Sequence, residues 1–452
     1  MELRDYQTKI YNQALPVLQQ HGWVYLALEM RLGKTLLALT LANRLDLKSV
    51  LFVTKKKAIE SIQADLYKLH HSFYGVTITN YESLHKVTGQ YDCVIIDEAH
   101  SIGQYPKPNN RCLTLGKMIA GMKTAPKIIY LSGTPTPESY SQMYHQLALL
   151  GSRSPWSQYK NFYRWAGKID APNYVKIRVK MINGIKMNDY DKANIEKIET
   201  DIKPFRITYT QEEAGFTSEI EEQIITLPMP ERLQKLFNII KTDQYYRFKD
   251  GEELAADTPV KVLNKLHQIS SGTIITESKN YKVLDDYKAQ YIRDNYHGKK
   301  IAIFYKFISE GEMLRNVFGN RITFLPEEFN QNNHLIFISQ IQSGSMGINL
   351  STADILIFFN IDFSATQYYQ ARARLGSMQR EKPQTIHWLF SDIGVEAKVY
   401  QAVQKKKSYT VRHYLRDYDG KRSITSGEMY RATESKGNLL QENSFGKQFG
   451  YA

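Results

Sequence analysis

The sequence predicts an α/β protein: two doubly wound lobes with an inserted helical and β-hairpin accessory region. Three observations carry that prediction. Short, nearly continuous apolar runs recur in two separate stretches of the chain, helical patterns lie between them, and a segment of different composition separates the stretches. A run without polar alternation is what a strand needs when helices cover both faces of its sheet. A length of 452 residues also exceeds what one core of roughly 100–200 residues accommodates.

In the first stretch, Trp23–Leu28 (WVYLAL), Ser49–Thr54 (SVLFVT), Val94–Asp97 (VIID) and Lys127–Ser132 (KIIYLS) read as buried parallel strands, with a helix over Thr35–Leu45. In the second, Lys300–Tyr305 (KIAIFY), His334–Ser339 (HLIFIS), Ile355–Asn360 (ILIFFN) and Thr385–Phe390 (TIHWLF) repeat the pattern without repeating the sequence. Between them, from about Ser154 to Phe216, the chain is rich in Tyr, Trp, Lys and Asn. There Tyr174–Met187 (YVKIRVKMINGIKM) alternates apolar and basic residues around Asn183-Gly184. Both turn residues tolerate positive φ, so a β-hairpin is predicted with Lys176, Arg178 and Lys180 on one face. The expected organisation is a first lobe at 1–153, an inserted region at 154–225 with its hairpin at 175–187, a second lobe at 226–425 and a polar tail at 426–452.

Charge narrows the class of partner. Lys plus Arg outnumber Asp plus Glu by 59 to 46, giving +13 and a pI near 9.3. Such an excess favours a polyanion, through phosphate neutralisation and counterion release. The 31 tyrosines offer base stacking, although most are expected to pack inside. No apolar run approaches the roughly 18 residues that span a bilayer, so no membrane partner is expected. MELRDYQ lacks the apolar core of a secretory signal. Two cysteines, Cys93 and Cys112, give neither a disulfide framework nor a zinc cluster. A reduced, cytoplasmic setting is the expectation.

Two motifs carry chemistry. Leu28–Thr35 (LEMRLGKT) follows a strand and opens a helix, the context that a phosphate-binding loop requires. Backbone N–H groups at Leu32 and Gly33 and the helix N-terminus can cradle phosphate oxygens. Lys34 would reach the β- and γ-phosphates, and the Thr35 hydroxyl would bind Mg²⁺. Leu28 stands where the first glycine of such loops usually lies. Asp97-Glu98-Ala99-His100 ends another strand, which delivers its carboxylates to the edge of the sheet beside that loop. Asp97 would hold Mg²⁺ and Glu98 would orient the attacking water. ATP and Mg²⁺ are therefore the expected cofactors.

LEMRLGKT, DEAH and Leu131–Pro135 (LSGTP), in this order, resemble superfamily-two helicases, and their details resemble the Snf-type, chromatin-remodeller-like branch and its small phage and bacterial members. That branch typically reads DEMGLGKT, so Leu28 and Arg31 depart from it. Leu3–Gln7 (LRDYQ) is similar to the family's LRPYQ, which implies that Gln7 contacts adenine. Ile78–Ser83 (ITNYES) resembles an element on the DNA side and implies that Thr79 and Tyr81, with Lys55, meet DNA. Ser132 and Thr134 fall in the motif that couples nucleotide state to lobe movement, and His100 falls with them. Ser339–Ser351 (SQIQSGSMGINLS) resembles STKAGGLGINL, which brings in Ser343 for DNA and Gly347 for ATP. Gln367–Gly376 (QYYQARARLG) resembles QxxxRAxRxGQ: Gln367 matches as a coupling residue and Arg374 as the arginine finger, while Arg372 lies one place beyond the first family arginine, now Ala371. Lys203–Glu213 and Val262–Gly272 resemble further segments of the branch.

The resemblance implies two RecA-like lobes with ATP between them. It implies an ATP-dependent DNA helicase or translocase that remodels branched DNA in replication, recombination or repair, with duplex or branched DNA bound without sequence preference. Recombination or replication proteins are expected partners. The hairpin's basic and apolar alternation suggests a wedge at a duplex junction, against the plainer reading of a surface hairpin. Competing readings are a duplex translocase without strand separation, an RNA helicase, a catalytically dead scaffold and the motor subunit of a nuclease complex.

Overall fold

Strand formation follows the apolar runs. The computed structural model describes residues 3–68, 75–168, 171–172, 174–182, 185–216, 220–344, 350, 352–372 and 384–405. The polar tail, the Lys405–Lys407 run beyond its first residue, and Gly347 and Arg374 lie outside the described residues. The chain divides into two units, 1–216 and 217–452.

The first unit holds a six-stranded, all-parallel sheet. Its strands are β1 (Trp23–Leu28), β2 (Val50–Thr54), β3 (Val76–Asn80), β4 (Cys93–Asp97), β5 (Lys127–Leu131) and β6 (Arg206–Tyr209), in the order β6-β1-β5-β4-β2-β3. Two apolar clusters cover its faces. One gathers Leu26, Phe52, Ile95 and Ile129 with the helices Asp5–His21 and Lys34–Arg44; the other gathers Tyr25, Leu51, Val94 and Tyr130. Successive strand residues alternate between the two, which is why the runs carry no polar positions.

The segment expected to stand apart as an accessory region is packed on this unit. Trp156, Phe162, Trp165, Tyr174 and Ile198 are buried in the second cluster, and Trp165 stacks on Tyr174 at 5.0 Å. Trp156 Nε1 and the Tyr174 hydroxyl both donate to Asp201 Oδ2, at 2.8 and 2.6 Å. The aromatic richness of the segment is thus largely core. Arg206–Tyr209 then adds a strand beside β1, in register Tyr25↔Arg206 to Leu28↔Tyr209. The first unit thus ends at 216, while the second lobe is expected from the sequence at 226–425.

The hairpin forms with outer bounds of 178 and 189, against the expected 175 and 187. Arg178–Ile182 pairs antiparallel with Ile185–Asp189, in register Ile182↔Ile185. Residues 183 and 184, read as the turn, are outside the described residues.

The second unit repeats the architecture. Its strands are β7 (Ile220–Leu227), β8 (Ile301–Tyr305), β9 (Ile322–Thr323), β10 (Ile336–Gln340), β11 (Ile355–Phe358) and β12 (Gln384–Ser391), all parallel, in the order β7-β12-β11-β8-β10-β9. Buried residues cover both faces again, Phe304, Phe358 and Trp388 on one side and Ile303, Ile357 and Leu389 on the other. Inside this core Lys288 and Glu396 form an ion pair of 2.9 Å with both side chains 0% exposed. The fold is α/β, with two RecA-like doubly wound lobes.

Candidate active site

Three strand ends of the first unit converge at the C-terminal edge of its sheet, where open α/β sheets bind ligands. β1 runs into the loop Glu29–Gly33. Gly33 caps the helix Lys34–Arg44 with φ +76° and ψ +38°, a left-handed conformation. A Cβ there would also lie 2.2 Å from Gln7 Nε2, so a side chain at this position would displace the Gln7 amide as well as strain the backbone. Arg31 holds φ +66°. An arginine thus bears a backbone strain of about 1–2 kcal/mol that glycine would not. Leu32 is buried, and Thr35 lies in the helix's first turn, where the N–H groups are unpaired by the helix itself.

Lys34 Nζ donates to the carbonyls of Leu28 and Glu29, each at 3.0 Å, inside the curve of the loop. Gln7 braces the loop from the first helix: Nε2 donates to the Leu32 carbonyl at 3.2 Å, and Oε1 accepts the Arg4 N–H at 3.0 Å. Its amide is engaged with backbone, which makes Gln7 a support of the loop in addition to an adenine candidate.

β4 delivers Asp97 and Glu98. Asp97 Oδ2 accepts from the Thr54 hydroxyl at 2.7 Å. Burial, and then the neighbouring Glu98, push the Asp97 carboxyl up to about 6, against the pull of Thr54 and the charge of Lys34. A buried carboxylate so short of positive charge is one that a cation would restore to its ionised form. Glu98 adopts φ +51° and ψ +48°, left-handed for a residue with a side chain. Such strain persists where the surroundings over-determine it, commonly at functional sites.

His100 joins the second carboxylate to the third strand end. Its Nδ1 lies 3.0 Å from Ser132 Oγ and 3.3 Å from Glu98 Oε2. Burial brings His100 down to about 4, in spite of Glu98, so the ring is neutral near pH 7. Ser132 Oγ accepts the Thr134 N–H at 3.2 Å, which fixes the turn after β5. A Cβ at Gly133 would sit 3.6 Å from Lys34 Nζ, so this turn lies directly against the phosphate loop.

Several supports were not legible as motifs. After β6, the Gln211 N–H donates to Glu29 Oε2 at 2.7 Å and its Nε2 to the Met30 carbonyl at 3.0 Å, clasping the loop from a segment some 180 residues later. Gln146 Nε2 holds the Pro135 carbonyl at 2.9 Å while Oε1 accepts from the Tyr25 hydroxyl at 2.7 Å. The resemblance of Lys203–Glu213 to its family segment was the available signal for Gln211; nothing in the sequence singles out Gln146.

The residues expected to meet DNA are placed unevenly. Lys55 is half-buried at the end of β2. Thr79 and Tyr81 are buried, Tyr81 at 3% exposure. The Tyr81 hydroxyl donates to the Asp97 carbonyl at 2.5 Å, and Arg111 covers its ring at 5.4 Å. Lys176 and Arg178 are exposed, whereas Lys180 forms ion pairs with Asp189 and, at 3.4 Å, Asp191. Lys180 is thereby largely neutralised by its own hairpin. The backbone of Ser343 lies in the short helix Ile341–Gly344; its side chain is outside the described residues.

In the second unit the helix Ala365–Arg372 carries Gln367 and Arg372. Gln367 Oε1 is buried without a partner among the described residues. Arg372 Nε lies 2.9 Å from Glu222 Oε1, near enough for an ion pair though off the line of a hydrogen bond. Glu222, on β7, also accepts from Tyr368 at 3.0 Å, Trp388 at 3.1 Å and Tyr400 at 3.2 Å. Arg372, an ATP-binding candidate beside Arg374 by resemblance, pairs with Glu222. Among the described residues no cluster of three His, Cys, Asp or Glu could hold a metal, and no helix is long and apolar enough to cross a membrane.

Paired RecA-like lobes, the first with a phosphate loop facing a strand-end Asp-Glu pair, define the helicase-type class of α/β proteins. Residues 48–273 match the SNF2-related domain, and residues 260–379 match the helicase conserved C-terminal domain. The chain belongs to the SNF2-related family. It is similar to the ISWI chromatin-remodeling complex ATPase ISW2 of Saccharomyces cerevisiae, with 22% identity over 98% of this chain and 43% of that protein. It is also similar to the uncharacterized ATP-dependent helicase MG018 of Mycoplasma genitalium, with 20% identity over 58% of this chain and 27% of that protein. The chain thus spans less than half the length of these relatives. Among solved structures, the SWI2/SNF2 ATPase core of Sulfolobus solfataricus in complex with dsDNA aligns over 95% of this chain and 94% of that one, with 19% identity and a TM-score of 0.41.

Proposed function

We propose that this protein hydrolyses ATP to drive movement on DNA. The observation that carries the proposal is the convergence of Lys34, Asp97, Glu98 and the His100–Ser132 contact at one sheet edge. Lys34 and the helix N-terminus neutralise the phosphates. Asp97 and Thr35 are the residues that would hold Mg²⁺, which supplies charge neutralisation at the transferring phosphoryl group. Glu98 orients the water and takes its proton, and Gly347 and Arg374 are the proposed contributions of the second unit to ATP.

His100 and Ser132 tie Glu98 to the turn after β5, with Thr134 and Gln367 as the other coupling residues. The net charge of +13 supports a nucleic-acid track held through phosphates and therefore without sequence preference. The finer reading is action on branched DNA in replication, recombination or repair, inside the cytoplasm. The alternative of a duplex translocase without strand separation has the same site.

The test compares ATP turnover and strand release with no nucleic acid, single strands, duplex, a synthetic fork and duplex RNA. Fork-stimulated turnover with strand release is expected. Glu98→Gln should lower kcat by about 10²–10⁴-fold while ATP still binds. Stimulation by RNA alone, or wild-type turnover by Glu98→Gln, would overturn the proposal. Stimulation by plain duplex without strand release would leave the translocase reading.

A further inference from the structure

The hairpin Arg178–Asp189 presents large apolar side chains to water on both faces. Val179, Met181 and Met187 are 52%, 61% and 51% exposed. An isolated two-stranded ribbon gains nothing from such exposure and is marginal in water by itself. The cross-strand register gives the exposure a pattern. Met181 pairs with Lys186 and Lys180 with Met187, so each face sets one methionine beside one lysine. Exposed Lys176, Arg178 and Lys186 surround them, while Asp189 is spent on Lys180.

The root of the ribbon is rigid. Ser141 Oγ donates to the Tyr190 carbonyl at 2.6 Å, Ser139 Oγ to the Asp191 carbonyl at 2.7 Å, and the Tyr105 hydroxyl to Asp191 Oδ1 at 2.9 Å. Tyr190 is buried in the core. Ser139 and Ser141 follow the turn Ser132–Pro135 by a few residues, and Tyr105 follows the helical turn Ala99–Ile102 that contains His100. The ribbon is therefore bolted to the segments that leave the candidate active site.

We propose that this hairpin is a DNA-contacting arm, with Val179, Met181 and Met187 packing against bases exposed at a duplex junction and Lys176, Arg178 and Lys186 holding the adjoining phosphates. Charge complementarity selects the partner: three exposed cations interleaved with exposed apolar side chains match a strand whose bases are splayed and whose backbone is anionic. The methionine side chain adapts to irregular apolar surfaces, which suits sequence-independent contact. This assignment rests on the reading of the protein as a DNA motor and adds to it the element that meets the junction.

The chain's two cysteines are both buried, so Met181→Cys offers a single accessible thiol for a crosslinking probe. The expected result is a crosslink to a synthetic fork at its junction and about tenfold less to plain duplex. The double variant Met181→Asp, Met187→Asp should slow strand release from the fork about tenfold, with the thermal midpoint nearly unchanged because both positions are exposed. No crosslink to the fork while fork DNA still stimulates ATP turnover overturns the arm and leaves the motor intact. Equal crosslinking to fork and duplex overturns the junction assignment. A wild-type protein whose turnover no DNA stimulates overturns the motor reading, and the crosslink then decides the arm by itself.

Discussion

At Tyr81 one side chain serves two neighbours: its hydroxyl fixes the carbonyl of Asp97, and its ring packs under Arg111. A hydrogen bond of this kind contributes about 0.5–1.5 kcal/mol, and about 1.4 kcal/mol is tenfold in a rate. Tyr81→Phe should therefore lower kcat about three- to tenfold with ATP affinity changed less than about twofold. A rise in KM at unchanged kcat would assign the hydroxyl to nucleotide binding instead. Lys34, Asp97, Glu98 and Ser132 were legible because strand-end motifs keep local spacing. Thr54, Gln146 and Gln211 were not, because each reaches the site through a single side chain on a distant segment. The element of Tyr81 was legible as a motif; the direction its side chain takes, inward, was not, because a six-residue 3₁₀ turn has no amphipathic period to read.

Among elements, the helix Ala365–Arg372 packs Ala365, Tyr368 and Ala371 into the core of the second unit and meets β7 through one carboxylate. Glu222 gathers Tyr368, Trp388, Tyr400 and Arg372, and burial together with this carboxylate pushes both phenols up. Glu222→Ala leaves buried donors unpaired and should cost about 2–4 kcal/mol of stability, measured by urea unfolding. Glu222→Gln, which keeps an acceptor oxygen, should cost distinctly less. Equal costs for the two would mean that the charge of Glu222, and neither its volume nor a single acceptor oxygen, is what holds these partners. The strands of both sheets were legible because burial on two faces forces continuous apolar runs. The border of the insertion was not, since the residues that make it look foreign, Trp156, Trp165 and Tyr174, are those that pack it onto the first core.

For the whole molecule, buried histidines set the acid limit. Burial lowers His100 to about 4, His267 well below its ordinary value, and His145 and His387 below theirs. The unfolded chain then binds more protons than the folded one between about pH 6.5 and 4, so stability is flat above that window and falls as pH drops through it. Asp97 and Glu138, both raised by burial, act in the opposite sense over part of the same range. Four imidazoles against two carboxyls give a net loss. Guanidinium midpoints at pH 7.5 and 5.0 should differ in favour of pH 7.5; equal midpoints would refute this.

Each sheet is closed by strands far apart in the chain. β6, from residues 206–209, lies against β1, from residues 23–28, and β12, from 384–391, lies against β7, from 220–227, over eight paired positions. On a ribosome this orders events. The loop Glu29–Gly33 leaves the exit tunnel long before Gln211 exists to clasp it, and the second sheet waits for β12, the last of its strands in chain order. A nascent chain halted near residue 200 would carry Lys34, Asp97 and Glu98 with an unfinished sheet edge beside β1, the kind of edge that recruits other strands. The first unit's share of the candidate site is thus finished by the segment that also ends that unit, which keeps a half-made first unit without its completed loop.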